Sequence, residues 1–135
     1  MNKFENITEL IVRIIIKRGN NVLLCKNKEH EHYFLTGGHV EFGDSLEQTI
    51  YKEMNEELGL LESDITKISF NNYLEGSYLN KEEKHCELNM IFNVEIKDDI
   101  EIKSQEDHID FEWVNLDKIS EVNLLPDGIK EFSNA

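Results

Sequence analysis

The sequence is poor in cysteine, in proline and in long apolar runs. Its 135 residues contain two cysteines, Cys25 and Cys86, and a single proline, Pro126. Two cysteines without the short spacing of a metal site indicate free thiols in a reducing cytoplasm rather than a disulfide framework. The apolar run Leu10–Ile16 is interrupted by Arg13 and is too short to span a bilayer. Because no signal peptide or transmembrane segment is visible, we expect a cytoplasmic protein.

Basic residues are also scarce. There are 14 lysines and arginines against 28 acidic residues, which gives a formal net charge of −14. Such a surface repels nucleic acid and anionic lipid, so we expect neither as a partner. It also repels a phosphorylated substrate unless cations are recruited first, which is consistent with a metal-dependent phosphate enzyme. The length and the apolar content of 39% suit one soluble domain, residues 1–135, that can bury a core.

The most informative stretch lies between Gly37 and Leu60. It begins with a glycine-rich loop, after which Asp44 or Ser45 can cap the start of a helix. Either residue also has a Glu or Gln three positions later, which fits a capping box. Gly59 is a plausible helix end because glycine readily adopts the left-handed conformation. The pattern predicts a helix from about residue 45 to residue 58.

Three glutamates meet on one face of this predicted helix. Glu53, Glu56 and Glu57 are spaced i, i+3 and i+4, so their charges repel one another, and Lys52 offsets only part of that repulsion. Most glutamate runs are solvated helix faces. Clustered carboxylates can also bind a hard cation such as Mg²⁺, which leaves positions open for substrate phosphates. The neighbouring face carries an apolar stripe that consists of Ile50, Met54 and Leu58.

Taken together, the glycines, the caps and the glutamates resemble the Nudix box. That signature is Gly, five residues, Glu, seven residues, then Arg-Glu-apolar-x-Glu-Glu-x-Gly-apolar. Residues 38–60 match seven of its nine defined positions, with Asp44 in place of the first Glu and Lys52 in place of the Arg. The matching residues are Gly38, Glu53, Met54, Glu56, Glu57, Gly59 and Leu60.

The resemblance implies roles for the matching residues. Glu53 and Glu57 would be ligands of Mg²⁺ or Mn²⁺, Glu56 would be a third ligand or act through water, and the Gly38 carbonyl would complete the site. One of these glutamates, or one from a later loop, would be the general base. Our choice for the later one is Glu106. The residues that compete with it are Glu75, Glu82, Glu83 and Glu87.

Two further residues are candidates for contact with the substrate. His39 could touch a phosphate, although an exposed loop histidine is the commoner case. Tyr33 could stack on a base, although aromatic residues more often pack in the core.

The two departures from the signature bear on activity. In the family, the Arg at this position orients a catalytic Glu, so the resemblance places Lys52 at a catalytic position. Lysine keeps the positive charge of arginine but lacks its planar, two-pronged set of donors. Asp44 is one methylene shorter than Glu, and a pair between Asp44 and Lys52 would be looser. The sequence therefore predicts reduced or altered activity rather than none.

The rest of the chain predicts an α/β protein. Val22–Cys25 would form a hairpin with the strand before it, and a break is expected at Gly76. The resemblance implies the Nudix fold, an α/β/α sandwich with a mixed β-sheet. The predicted strands are 10–16, 22–25, 65–79, 86–96 and 108–114, and 108–114 is predicted to be the last strand of the chain. Helices are predicted after it, at 116–122 and 127–132.

The function implied is hydrolysis of the phosphoanhydride bond in a nucleoside diphosphate linked to another moiety. That substrate could be a nucleoside triphosphate, ADP-ribose or a nucleotide sugar, and the sequence does not choose among them. Two alternatives stay open: a nucleotide-binding or regulatory module of the same fold that has lost turnover, and an unrelated acidic interaction domain. A small-molecule nucleotide is the expected partner, and a homodimer through a sheet edge is plausible.

Overall fold

The computed structural model describes residues 5–29 and 31–132, so both ends of the predicted domain 1–135 lie outside the described residues. These residues form eight strands, one α-helix and three short 3-10 helices. The strands are β1 (Glu5–Arg18), β2 (Asn21–Asn27), β3 (Tyr33–Phe34), β4 (Thr36–His39), β5 (Ile65–Asn80), β6 (Glu83–Ile96), β7 (Ile109–Asn115) and β8 (Leu124–Leu125). The helices are α1 (Leu46–Leu58) and the 3-10 turns Glu62–Asp64, Leu116–Glu121 and Ile129–Phe132.

The strands form a mixed, curled sheet. Its main path runs β5-β6-β1-β2-β3-β8, with β4 added beside β1 and β7 added beside β2. The predicted hairpin of β1 and β2 is confirmed only at its turn, where Lys17 pairs with Val22 and Arg18 with Asn21. Beyond that point the two strands separate, since β1 pairs with β6 and β4 whereas β2 pairs with β7 and β3. The strands on either side of this turn therefore form two halves of the sheet.

Both faces of the sheet are covered, as an α/β layered fold requires. One core lies under α1, where Ile50 and Met54 are fully buried against Val12 and Ile14 of β1. The second core lies on the opposite face, where Ile119 and Ile129 of two 3-10 helices cover the sheet. The predicted α/β class with a mixed sheet is confirmed. The second covering layer consists of 3-10 turns at the two places where helices were predicted.

Two details of the strand prediction are wrong. β5 continues through Gly76, which pairs with Glu87, because a glycine with ordinary strand geometry leaves the ladder intact. The irregularities lie instead between Ile65 and Lys67 and between Phe70 and Asn72, where the register shifts. β7 is followed by β8, a two-residue strand that pairs in parallel with β3. β8 is too short to leave a periodic signal in the sequence.

The glycine-rich loop predicted at Gly37 is also wrong, since this segment is strand β4. Gly37 pairs with Arg13 and Gly38 with Val12 in an antiparallel register. A Cβ at Gly37 would overlap the carbonyl oxygen of Val12 and lie 3.2 Å from the Cα of Arg13. Glycine therefore permits an unusually close approach of two backbones at this point.

β5 and β8 lie at the two ends of the main path of the sheet, and the homodimer through a sheet edge stays a prediction. Cys25 is a buried free thiol and Cys86 an exposed one. Within residues 5–29 and 31–132, no helix has the length and apolar content needed to cross a membrane.

Candidate active site

The caps of α1 fix where its side chains point. The Ser45 hydroxyl accepts from the backbone N–H of Gln48 at 3.0 Å, and the Gln48 side chain accepts from the N–H of Ser45 at 2.8 Å. This confirms the predicted capping box with Ser45, rather than Asp44, as the N-cap. Gly59 ends the helix in the left-handed conformation, with φ 70°.

Burial of the apolar stripe determines the position of the glutamates. Because Ile50, Met54 and Leu58 face the sheet, Glu57 is drawn down beside them and is only 9% exposed. Its Oε2 accepts from the backbone N–H of Gly37 at 3.3 Å, so the helix is bonded to β4 through a carboxylate. A capped helix over a strand thus sets an acidic group against the backbone of β4.

Glu53 lies against the next residue of β4. A Cβ at Gly38 would overlap the carboxylate of Glu53, with Oε2 at 2.9 Å. Burial is the main cause that raises the pKa of Glu53 to about 7; the charges of Glu56 and Glu106 contribute to this rise, and Lys52 acts against it. Burial likewise raises the pKa of Glu57 to about 8, with the charge of Glu53 as the next cause.

The loop before β7 carries Glu106 to the same carboxylates. The backbone N–H of Gln105 donates to the carbonyl of Glu57 at 3.1 Å, which ties the loop to the last turn of α1. The charge of Glu106 raises the pKa values of both Glu53 and Glu57. Its Oε2 also lies 3.4 Å from Nε2 of His108. The four competing glutamates lie instead on β5, on β6 and in the turn between them.

Lys52 has a partner that the sequence did not indicate. Its Nζ lies 3.2 Å from Oε2 of Glu41, so the expected pairing of Lys52 with Asp44 is not the main contact. Hydrogen bonding to Glu41 raises the pKa of Lys52, and the charge of Asp44 is a lesser cause. The turn that closes with the Asp44 N–H donating to the Glu41 carbonyl presents Glu41 to the helix. The Glu41 side chain is one methylene longer than that of Asp44, and its carboxylate contacts Lys52.

Replacing Lys52 by arginine is expected to change turnover by less than about threefold. The Glu41 carboxylate can accept from a guanidinium as well as from an ammonium, and the pair is exposed and screened by solvent. Initial rates at saturating substrate, measured for Lys52→Arg, Lys52→Gln and wild type, check this. A gain of tenfold or more in Lys52→Arg would contradict it and would show that the lysine limits the enzyme.

The two candidate substrate contacts lie on different halves of the sheet. Nε2 of His39 is 3.2 Å from Oε1 of Glu9, and the imidazole is exposed beside Gly38. The hydroxyl of Tyr33 donates to Glu112 at 2.7 Å, and Nζ of Lys26 lies over its ring at 5.4 Å from the centroid. These contacts occupy the polar end of Tyr33, and the substrate roles of both residues stay predictions.

The residues at the helix suit a hard divalent cation. Glu53, Glu56 and Glu57 supply oxygen donors, the first and third are half-buried or buried, and their mutual repulsion would be relieved by positive charge. In the described parts of the chain, no three acidic, imidazole or thiol side chains already converge on one point. The donor chemistry therefore fits Mg²⁺ or Mn²⁺, and binding would require the glutamates to draw together.

Sequence reasoning missed the arginine that stands opposite Gly37. Arg13 was seen only as an interruption of an apolar run, yet its Nε donates to Oδ1 of Asn89, 76 residues away, at 3.0 Å. Asn89 is completely buried, and its Nδ2 donates to the carbonyl of Leu74. A charged residue inside a β-branched run was the one available signal.

Comparison with known proteins identifies the family. A sequence model of the NUDIX domain matches residues 8–134. Proteins named nucleoside triphosphatase NudI, from Escherichia coli O139:H28 (strain E24377A / ETEC) and from Shigella flexneri, are 31% identical to this chain over 127 residues. Each alignment covers 84% of this chain and 86% of the relative.

Solved structures share the fold. A mutator MutT protein from Bacillus halodurans superposes with a TM-score of 0.76 at 18% identity, covering 94% of this chain and 80% of its own. The MutT protein of Methanosarcina mazei Go1 gives a TM-score of 0.69 at 22% identity, covering 96% of this chain and 93% of its own. At these identities the likeness concerns the fold alone.

Proposed function

This chain belongs to the Nudix hydrolase family, and we propose that it is a metal-dependent pyrophosphohydrolase acting on nucleoside triphosphates. The observation that carries the proposal is the pair of carboxylates, Glu53 and Glu57, held against the backbone of Gly37 and Gly38. Their raised pKa values mark a site whose charges are uncompensated by the protein itself.

Each residue has a role in this proposal. Glu53, Glu56 and Glu57, with the Gly38 carbonyl, hold the cation. When bound, Mg²⁺ or Mn²⁺ neutralises charge on the phosphoryl oxygens and makes water more acidic. Glu106 is the general base that accepts the proton of the attacking water, since its loop is bonded to the end of α1.

The surrounding residues position these groups. Lys52, paired with Glu41, keeps a positive charge near Glu53, and that charge lowers the proton affinity of Glu53. His39 is held by Glu9 next to Gly38, where its exposed ring can contact a phosphate. Tyr33 lies on the other half of the sheet, on β3.

The choice of nucleoside triphosphate over ADP-ribose or a nucleotide sugar is supported by the relatives, which are named nucleoside triphosphatases at 31% identity. A fold hosts many substrates, so this choice is the least constrained part of the proposal. A nucleotide-binding module without turnover is the second candidate, because Lys52 and Asp44 both depart from the family signature.

Release of pyrophosphate or phosphate from a panel of nucleotides, with Mg²⁺ or Mn²⁺, tests the function. We expect metal-dependent hydrolysis of at least one nucleoside triphosphate at rates above those for ADP-ribose and nucleotide sugars. Glu53→Gln should remove this activity, and Glu47→Gln, on another face of the same helix, should retain it. Tight nucleotide binding without product from any substrate would favour the binding module instead.

A further inference from the structure

Arg13 is a charged residue at a position where the fold favours an apolar one. Its neighbours on the same face of β1, Ile11 and Ile15, are 2% and 1% exposed. Arg13 lies between them and is itself half-buried. Burial lowers its pKa, although an arginine stays protonated at neutral pH. The protein thus retains a costly positive charge in the middle of β1, the strand that pairs with both β4 and β6.

This charge has no direct ion pair in the described chain. Within residues 5–29 and 31–132, no carboxylate oxygen comes within 4.0 Å of the Arg13 guanidinium. The charges of Glu87 and Glu57 act on it from farther away. Arg18, on the same strand, is different: Nη2 donates to the carbonyl of Ile100 at 2.8 Å, and the guanidinium lies 5.0 Å from the centre of the Trp113 ring.

The orientation of Arg13 is nevertheless fixed. Asn89 accepts from Nε of Arg13 and is secured by its own bond to Leu74, so one edge of the guanidinium is anchored inside the protein. Asn89 is fully buried, and a pair of apolar residues at these two positions would be a stabilising alternative. An arginine that is anchored but not ion-paired is suited to binding an anion.

The position of Arg13 identifies the anion. In the strand register, Arg13 stands opposite Gly37, whose N–H donates to Glu57. Gly37 therefore has both groups as neighbours: Arg13 stands beside it on β1, and the Glu57 carboxylate reaches its N–H from α1. A substrate whose phosphates bind at the acidic cluster of α1 places negative charge near Arg13.

We infer that Arg13 is a substrate-binding residue whose guanidinium donates to a non-bridging oxygen of the phosphate chain. The inference rests on the proposed function and adds a specific contact to it. In a chain of net charge −14, this arginine supplies attraction for the nucleotide that does not depend on the cation.

Kinetics and binding of Arg13→Gln, Arg13→Lys and the matched control Arg18→Gln test the inference. Loss of a charged hydrogen bond should raise KM for the nucleoside triphosphate by roughly ten- to hundredfold in Arg13→Gln, with a much smaller change in kcat. Arg13→Lys keeps the charge and loses the planar fork, so we expect a smaller rise. Arg18→Gln should keep the wild-type KM.

Binding of the α,β-methylene analogue of ATP with Mg²⁺, measured by calorimetry, separates this inference from the proposed function. Weaker binding by Arg13→Gln than by Arg18→Gln supports the contact even if the wild type turns over nothing. Turnover in the wild type with the same KM and the same analogue affinity in both variants overturns the contact and leaves the function intact. A lowered melting temperature in Arg13→Gln with unchanged KM also overturns it, because that result describes a purely structural arginine.

Discussion

Glu57→Gln is expected to lower metal-dependent hydrolysis at least about a thousandfold while making the metal-free protein more stable. A thousandfold loss of rate corresponds to about 4 kcal/mol of lost transition-state stabilisation, which is comparable to the stabilisation that a bound cation supplies. Glutamine has the same length, and its amide oxygen can still accept from the N–H of Gly37. The substitution therefore removes the negative charge and keeps the packing.

The stability gain follows from the pKa of Glu57. Burial and the neighbouring charge raise it from 4.5 to about 8, so the folded protein binds this proton more tightly than the unfolded chain. The stabilisation from the proton is complete below pH 4.5 and is lost as the pH rises through 8. At pH 8 the gain from Glu57→Gln should be on the order of 4 kcal/mol, or about 12 °C in melting temperature.

Thermal melts of wild type and Glu57→Gln in EDTA, from pH 5 to pH 9, measure the effect. The two curves should lie close together at pH 5 and separate as the pH rises. Saturating Mn²⁺ should stabilise the wild type more than the variant, because an ion that binds only the folded state shifts the equilibrium. Glu47→Gln, an exposed change on the same helix, should show the same melting temperature as the wild type at each pH. An unchanged melting temperature at pH 8 would mean that Glu57 is already compensated in the folded protein.

The parts of the site that could be predicted from sequence are local. The caps of α1, its apolar stripe and the convergence of Glu53, Glu56 and Glu57 all follow from helical spacing within one segment. The prediction for Glu106 concerned a loop that is distant along the chain. In the structure, the charge of Glu106 raises the pKa values of Glu53 and Glu57. Its catalytic role stays a prediction.

The parts that could not be predicted depend on contacts between distant strands. Arg13 meets Asn89 because β1 and β6 pair in parallel, and nothing in either segment specifies that register. On β6, Phe92 and Val94 lie under α1, yet Ile91 on the opposite face is also buried. A sheet covered on both faces loses the simple alternation on which strand prediction relies.

Gly37→Ala is expected to destabilise the protein by about 3 kcal/mol or more and to abolish hydrolysis. The added methyl would overlap the carbonyl oxygen of Val12, which is backbone and cannot rotate away. β4 must then move from β1, at a cost like that of overpacking a core. The N–H of Gly37 moves with it, so Glu57 loses its hydrogen bond and Glu53 its contact at Gly38. Thermal melts should show a loss of about 10 °C.

Gly76→Ala is the matched control, since Gly76 is also a strand glycine. The nearest atom to its added methyl is Oε2 of Glu87 at 3.9 Å, an ordinary contact with a mobile side chain. Alanine there should be neutral or stabilising by up to about 1 kcal/mol, because it restricts the unfolded chain. If Gly37→Ala and Gly76→Ala melt alike, the close approach of β4 to β1 is wrong. If Gly37→Ala is destabilised but keeps its hydrolysis, the bond from Gly37 to Glu57 is not needed to place the carboxylate, and the helix alone positions the site.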